Sequence, residues 1–482
     1  MTPLPEPVRR FLDAPAPGPM LGLLTGRRRL GKTTLLAGAC QQRGGLLWEA
    51  APLTSQPLLD DLAAALGRHR GGAPVPLPDW RAAVAQLFAL GAEQPTPVVL
   101  DDAHHLIAAE PSLPALLAEA LGAADAAADA PRPRVILCGS GLSTLRALTA
   151  RGGALRGRAL LRYAAEPAGA RVARTWLPAP DDLPLAARVH AILGGVRGHH
   201  TSLVADDLPE TAEDFDRWVT TRVLHPSAAL HQEVEALLAD DPALAANLAL
   251  HRSVLAAIAT GAERTGAIAQ RLAKPTANVA PLLQRLVEAG LVDREDDPLR
   301  AQRPSYVVAD PLVRFHFAVL APHRALLHAG AVASAWRDHL SEVFDARVRQ
   351  PALAAGLRAW ARRHAEAATL GGGGPYLGRG RAPGAADPPL DLVVARDTAG
   401  TGDDEATPPA EREVAALGRA ILGTAAHAHL RSLEQARADL GRRAQAATLV
   451  VGCEDAEVDL RAEADRRGDV ALVDLARLHH GT

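Results

Sequence analysis

Gly26-Arg27-Arg28-Arg29-Leu30-Gly31-Lys32-Thr33-Thr34 is the stretch on which the fold turns. An apolar run, Met20 to Thr25, leads into it, and a helical pattern, Thr33-Thr34-Leu35-Leu36-Ala37-Gly38-Ala39-Cys40, leads out. Strand, glycine-bounded loop, Gly-Lys-Thr and helix, in that order, are the parts of a phosphate-binding loop. Glycines let successive backbone N–H groups curl toward one anion, and the helix N-terminus adds its partial positive charge. Lys32 is placed to reach β- and γ-phosphate oxygens and the Thr33 hydroxyl to ligate Mg²⁺, so ATP with Mg²⁺ is the expected ligand pair. Lysine is scarce in this chain: of 52 basic residues only Lys32 and Lys274 are not arginine, which makes a lysine at this position informative.

Working outward, Pro97-Val98-Val99-Leu100-Asp101-Asp102 is an apolar strand ending in two acids, the form of a Walker B segment. Asp101 is expected to support the Mg²⁺ shell. Asp102 stands where the water-activating acid stands in ATPases with this pair of motifs, one methylene shorter than the usual glutamate. Each acid has a second reading, as a cap of the following helix. In Val135-Ile136-Leu137-Cys138-Gly139-Ser140-Gly141, Ser140 is read either as a polar sensor of the γ-phosphate or as a turn residue. Arg156 and Arg158 are read either as cations reaching the nucleotide of this or a neighbouring subunit or as solvated arginines.

Hydropathy then divides the chain. From Met20 to Ala165 short apolar runs (21–25, 45–48, 97–101 and 134–138) alternate with helical patterns at 58–66 and 80–90, as in an α/β domain with a parallel sheet. Residues 1–170 are therefore assigned to a P-loop ATPase core. Residues 171–250 read as a helical lid or connector, broken by Pro178, Pro180, Gly194, Gly195 and Pro226. Three helical patterns and two short β-like runs make 251–322 a winged helix, with Thr265 and Thr276 placed as N-caps. Residues 323–482 form a last domain, with strands at 390–395, 447–452 and 470–474, a helix at 427–440, and loops at 371–389 and 397–411, the first read as mobile and the second as disordered.

With these motifs in this order the chain resembles the prokaryotic family of AAA/STAND-like ATPases of archaea and bacteria. In that family a winged helix and a C-terminal domain of unknown function, with a restriction-endonuclease-like core, follow the ATPase. The resemblance is carried by GRRRLGKTTLL from Gly26, VVLDDAHHL from Val98, VILCGSGLSTL from Val135, Gly157-Arg158, GGVRG from Gly194, ADPLVRFHF from Ala309 and GDVALVDLARLHHG from Gly468. The chain departs from the family at 11–19, which is shorter than the segment that usually cradles adenine, at Asp102, and in the last domain. There Asp391 matches the first acid of a nuclease, but Arg419 and Ile421 replace an acid and a lysine, and Ala354 replaces a helix glutamate. A restriction-like site needs several carboxylates around Mg²⁺. The expectation is a degenerate, non-cutting domain with Asp391 left on an edge or in a loop.

Charge and cysteine usage exclude other classes. The balance of 52 Lys+Arg against 55 Asp+Glu gives −3, which removes a global nucleic-acid clamp. Cys40, Cys138 and Cys453 form no close pair, so they are expected as buried thiols rather than a disulfide framework or zinc site. His199-His200 and His479-His480 lack ligand-spaced partners and are expected to be exposed. No stretch has the length of an apolar membrane span, so a cytoplasmic protein without membrane contact is expected, oligomeric assembly being left open. Asn278, Gln284 and Arg285 decorate the candidate recognition helix. The 252–310 segment nevertheless balances 8 basic against 7 acidic residues, and double-stranded DNA and a protein partner both stay open for the winged helix. The leading expectation is a slowly hydrolysing ATP/ADP switch; the alternative is a DNA-binding regulator for which ATP is only a structural ligand.

Overall fold

Strands that read as unbroken apolar runs become the centre of a parallel sheet. The computed structural model describes residues 4–15, 18–125, 131–140, 142–301, 304–382, 389–398 and 407–480. The two glycine- and proline-rich loops expected at 371–389 and 397–411 lie partly outside them, at 383–388 and 399–406. The chain divides into two compact units, Met1–Pro167 with Ala236–Leu248, and Ala168–Glu235 with Ala249–Thr482.

In the first unit β1 (Met20–Gly26), β2 (Leu46–Glu49), β3 (Thr96–Asp101), β4 (Pro133–Gly139) and β5 (Ala159–Ala165) form one parallel sheet in the order β2-β3-β4-β1-β5. Helices α1 (Glu6–Asp13), α2 (Lys32–Arg43), α3 (Ser55–His69), α4 (Trp80–Ala89), α5 (Ala103–Ala109), α6 (Leu113–Asp125) and α7 (Leu142–Thr149) accompany it. Alternate residues of the central strands enter different cores. Leu21, Leu23, Val98, Leu100, Val135 and Leu137 pack with Leu62, Trp80 and Leu87. Leu24, Val99, Ile136 and Cys138 pack with Phe11 of α1 and Leu36 of α2. Both faces are covered, which is why these strands carry no polar alternation. Strand β5 escaped the sequence reading because it is an edge strand with mixed burial: Leu161 is buried while Leu160 is exposed.

The second unit holds a mixed sheet, β12-β11-β10-β9-β8, made of β8 (Tyr376–Gly380), β9 (Leu390–Arg396), β10 (Glu413–Ala425), β11 (Thr448–Ala456) and β12 (Val470–Val473). Strands β10, β11 and β12 are parallel, and β9 runs antiparallel to both β8 and β10. Helix His427–Leu440 covers one face through Leu430 and Leu433, and helix Gln350–Arg363 covers the other through Leu357 and Trp360. Helices Thr265–Arg271 and Thr276–Glu288 precede a two-stranded antiparallel ribbon, β6 (Val292–Glu295) with β7 (Ser305–Val308). Among the described residues no single helix is long and apolar enough to cross a membrane.

Three local expectations are corrected. Thr265 and Thr276 are the first helical residues, not caps; Arg264 and Pro275 hold the cap positions and neither caps through its side chain. His199, His200 and His479 are buried rather than exposed. The rings of His199 and His200 reach the carbonyls of Leu193 and Gly194 at 2.8 and 3.0 Å, at the end of helix Leu183–Leu193, where carbonyls lack helical partners. Asp391 sits in β9, between two strands, so it is neither an edge nor a loop residue. Its carboxylate accepts from Ala420 N–H at 3.0 Å, and Arg358, Arg379 and Arg419 surround it, which places cations where a nuclease gathers further acids.

Candidate functional site

Strand register brings the motif residues to one end of the sheet. Thr25 of β1 pairs with Gly139 of β4, Leu100 of β3 with Leu137, and Glu49 of β2 with Asp101, so the carboxyl ends of four strands lie side by side. This is where open α/β sheets place ligands.

The loop that follows β1 is shaped by two backbone demands. Gly26 passes so close to β5 that a Cβ there would stand 2.8 Å from the Ala165 carbonyl oxygen. At the other end Arg29 (φ 61°) and Gly31 (φ 84°) both adopt left-handed backbone, with right-handed helix beginning at Lys32. Such reversals turn N–H groups inward, the geometry of an anion-binding nest. Lys32 is buried at 9% exposure, and its Nζ donates to the Arg27 carbonyl at 2.9 Å across the loop, with Arg28 and Leu30 between. Burial lowers its pKa, opposed by the Asp101 and Asp102 carboxylates. Thr33 and Thr34 follow on the exposed first turn of α2.

Asp101 is 1% exposed and fully engaged: Oδ2 accepts from the Thr33 hydroxyl at 2.6 Å and Oδ1 from the Asp102 N–H at 2.9 Å. A hydroxyl and a carboxylate held together beside an anion-binding loop are the oxygen donors that Mg²⁺ takes alongside phosphate. The donor set fits the ion, and Thr33 and Asp101 are the residues that would hold it.

Asp102 has left-handed backbone (φ 46°) and occupies the cap position of α5, yet its side chain makes no capping hydrogen bond. Burial, and after it the Asp101 charge, raise its pKa. Ser140, beyond β4, donates to Oδ2 of Asp240, the last residue of helix Leu230–Asp240. Asp240 in turn lies 3.8 Å from Arg28, 3.6 Å from His104 and 3.7 Å from His105. Burial alone would raise the Asp240 carboxyl, but His104, Ser140 and Arg28 outweigh it and hold the group at about 2. Arg156 and Arg158 lie exposed on the approach to β5.

Two residues of this region, Glu49 and Asp240, went unread in the sequence. Glu49, registered with Asp101, brings a further carboxyl whose pKa is raised by burial and by Asp102 and Asp101; its signal was its place at the end of a strand. Cys138, expected as a buried thiol, is fully buried at the end of β4, and burial together with Asp101 pushes its thiol well above the ordinary value. Asp240 carried no local signal, because it arrives through a segment 100 residues beyond Ser140.

No family model matches the chain, and none of the curated proteins does. Solved structures give remote likenesses. The Walker-type ATPase of Pyrococcus abyssi aligns over 62% of this chain and 91% of its own at 20% identity and a TM-score of 0.46. The ORC2 protein of Aeropyrum pernix, in ADPNP-ADP complexes, aligns over 67% and 91% at 15% identity and 0.37. CDC6P from Pyrobaculum aerophilum aligns over 67% and 91% at 14% identity and 0.31. All three scores lie below 0.5, and the assignments that follow rest on this chain's own geometry.

Proposed function

We propose that this chain is a MgATP-binding P-loop ATPase that turns over slowly and serves as a nucleotide-dependent switch. The observation that supports it most is the bond from Thr33 to Asp101, which joins the first turn after Gly31-Lys32 to the end of β3. In this reading the loop from Gly26 to Thr34 wraps the phosphates, Lys32 neutralises β- and γ-oxygens, and Thr33 with Asp101 supports Mg²⁺. Asp102 is the base that orients water, and Ser140 senses the γ-phosphate end. An aspartate base reaches less far toward the attacking water than a glutamate. Slow turnover suits a switch.

The domain assignment goes with it: ATPase core 1–170, helical lid or connector 171–250, winged helix 251–322 and a degenerate restriction-endonuclease-like domain 323–482, within the AAA/STAND-like family. Steady-state phosphate release from MgATP by the chain and by Asp102→Asn tests the reading. It requires turnover in the parent that falls in the variant while MgATP binding persists; a parent that binds no MgATP contradicts it.

A second reading, a DNA-binding regulator with ATP as a structural ligand, is favoured by one observation. Helix Thr276–Glu288 keeps Val279, Leu282, Leu283 and Leu286 buried and leaves Asn278, Gln284 and Arg285 exposed, next to exposed Lys274. An amphipathic helix with a polar outer face is the form that enters a major groove. This reading requires salt-sensitive binding of double-stranded DNA at a specific site and no turnover of ATP. A partner protein on the same helix leaves DNA without effect.

A further inference from the structure

His104 is 0% exposed and neither ring nitrogen has a hydrogen-bond partner. A buried imidazole with both nitrogens unsatisfied costs about 1–3 kcal/mol for each group left bare, so such a ring calls for a ligand. Its Nε2 points at Asp240 Oδ1 from 3.6 Å, too far for a hydrogen bond. His105 Nε2 faces the same oxygen from 3.7 Å, and the two rings lie 4.1 Å apart, centroid to centroid. All three donor atoms fall within 4.8 Å of one another.

We propose that His104, His105 and Asp240 form a binding site for a divalent transition cation of the zinc class, separate from the Mg²⁺ position at Thr33 and Asp101. Spacing carries the assignment. Donors bonded at 2.0–2.2 Å around a tetrahedral ion stand about 3.4 Å apart, a few tenths of an ångström from the two separations here. Octahedral Mg²⁺ brings neighbouring donors to about 3.0 Å and takes oxygen, not imidazole. The second oxygen of Asp240 is held by the Ser140 hydroxyl, which leaves Oδ1 turned toward the histidines, the outer-shell support that ligating carboxylates have. His105 is 23% exposed and gives the ion a way in. Arg28, 3.8 Å from the same Oδ1, competes with the ion for that oxygen.

The site does not rest on the nucleotide reading, and the two are tested apart. Untagged, metal-free full-length chain is titrated with Co²⁺ in excess Mg²⁺ and followed by visible absorption. One equivalent binding with the intense bands of a four-coordinate ion, displaced by Zn²⁺, is expected. His105→Ala and Asp240→Asn each weaken that binding tenfold or more, whereas Lys32→Ala leaves it unchanged. His105→Cys, which supplies another zinc ligand, restores binding and adds thiolate-to-cobalt charge transfer, so a misfolded His105→Ala does not leave the site untested. Absence of the four-coordinate spectrum in the parent, or equal affinity in His105→Ala and Asp240→Asn, overturns the site.

Discussion

Thr33 and Asp101, 68 residues apart in the chain, meet at 2.6 Å, and the same carboxylate accepts the N–H of Asp102 through its other oxygen. A hydroxyl that gives its proton to a carboxylate keeps its lone pairs for a cation, and the other oxygen of that carboxylate is fixed by a backbone N–H. Thr33→Ala and Asp101→Asn are expected to erase the advantage of Mg²⁺ in ATP binding. The measured ratio of affinities with Mg²⁺ and with chelator falls about tenfold or more, ~1.4 kcal/mol, in each variant.

The left-handed backbone at Gly31 makes a second prediction. No atom lies within 4 Å of a Cβ added there, so Gly31→Ala meets backbone strain alone, about 1–2 kcal/mol. Gly26→Ala is worse placed, because its methyl group collides with the Ala165 carbonyl and must push β1 from β5. Urea unfolding is expected to rank the parent above Gly31→Ala and Gly31→Ala above Gly26→Ala.

The proposed function makes Asp102 the base, and Glu49 is the carboxyl that stands as its rival. Both carboxyls have raised pKa values, so the acid limb of a pH–rate profile is displaced toward neutrality, with turnover rising as pH rises and the base loses its proton. Asp102→Asn is expected to lower kcat about a hundredfold or more while leaving MgATP affinity within threefold. A Glu49→Gln variant that loses kcat when Asp102→Asn does not would move the base to β2.

Acid stability follows from the second unit. Burial is the largest cause that lowers His190, His316 and His479 to about 4. Above about pH 6.5 these rings are neutral whether the chain is folded or not. Between about 6.5 and 4 only the unfolded chain takes up the proton, so stability falls as pH drops through that window and levels off below it. Urea midpoints measured from about pH 7.5 down to 5 should decline steadily, and a midpoint independent of pH contradicts the buried neutral state.

How much was legible in the sequence follows from how local each signal is. The turn from β1 into α2 and the acid-ended strand were readable because glycine geometry, one lysine and a both-faces-buried strand act over a dozen residues. Strand β5 was not, since an edge strand with one covered face has no strong period. His199 and His200 were read as exposed because nothing near them marks the helix end whose carbonyls they bond. Asp391 was misplaced because no local signal marks β8, which lies inside 371–389 and covers the other side of β9. Asp240 was invisible for the same reason: only the return of 236–248 to the first unit brings it to Ser140.

The central claim is that Lys32 and its loop bind MgATP, and a titration of the full-length chain and of Lys32→Ala with a fluorescent ATP analogue in Mg²⁺ tests it most directly. Saturable binding by the parent, lost by tenfold or more in a variant that stays folded, is the result predicted here. Equal affinity in the two proteins, or no binding by the parent, would contradict it.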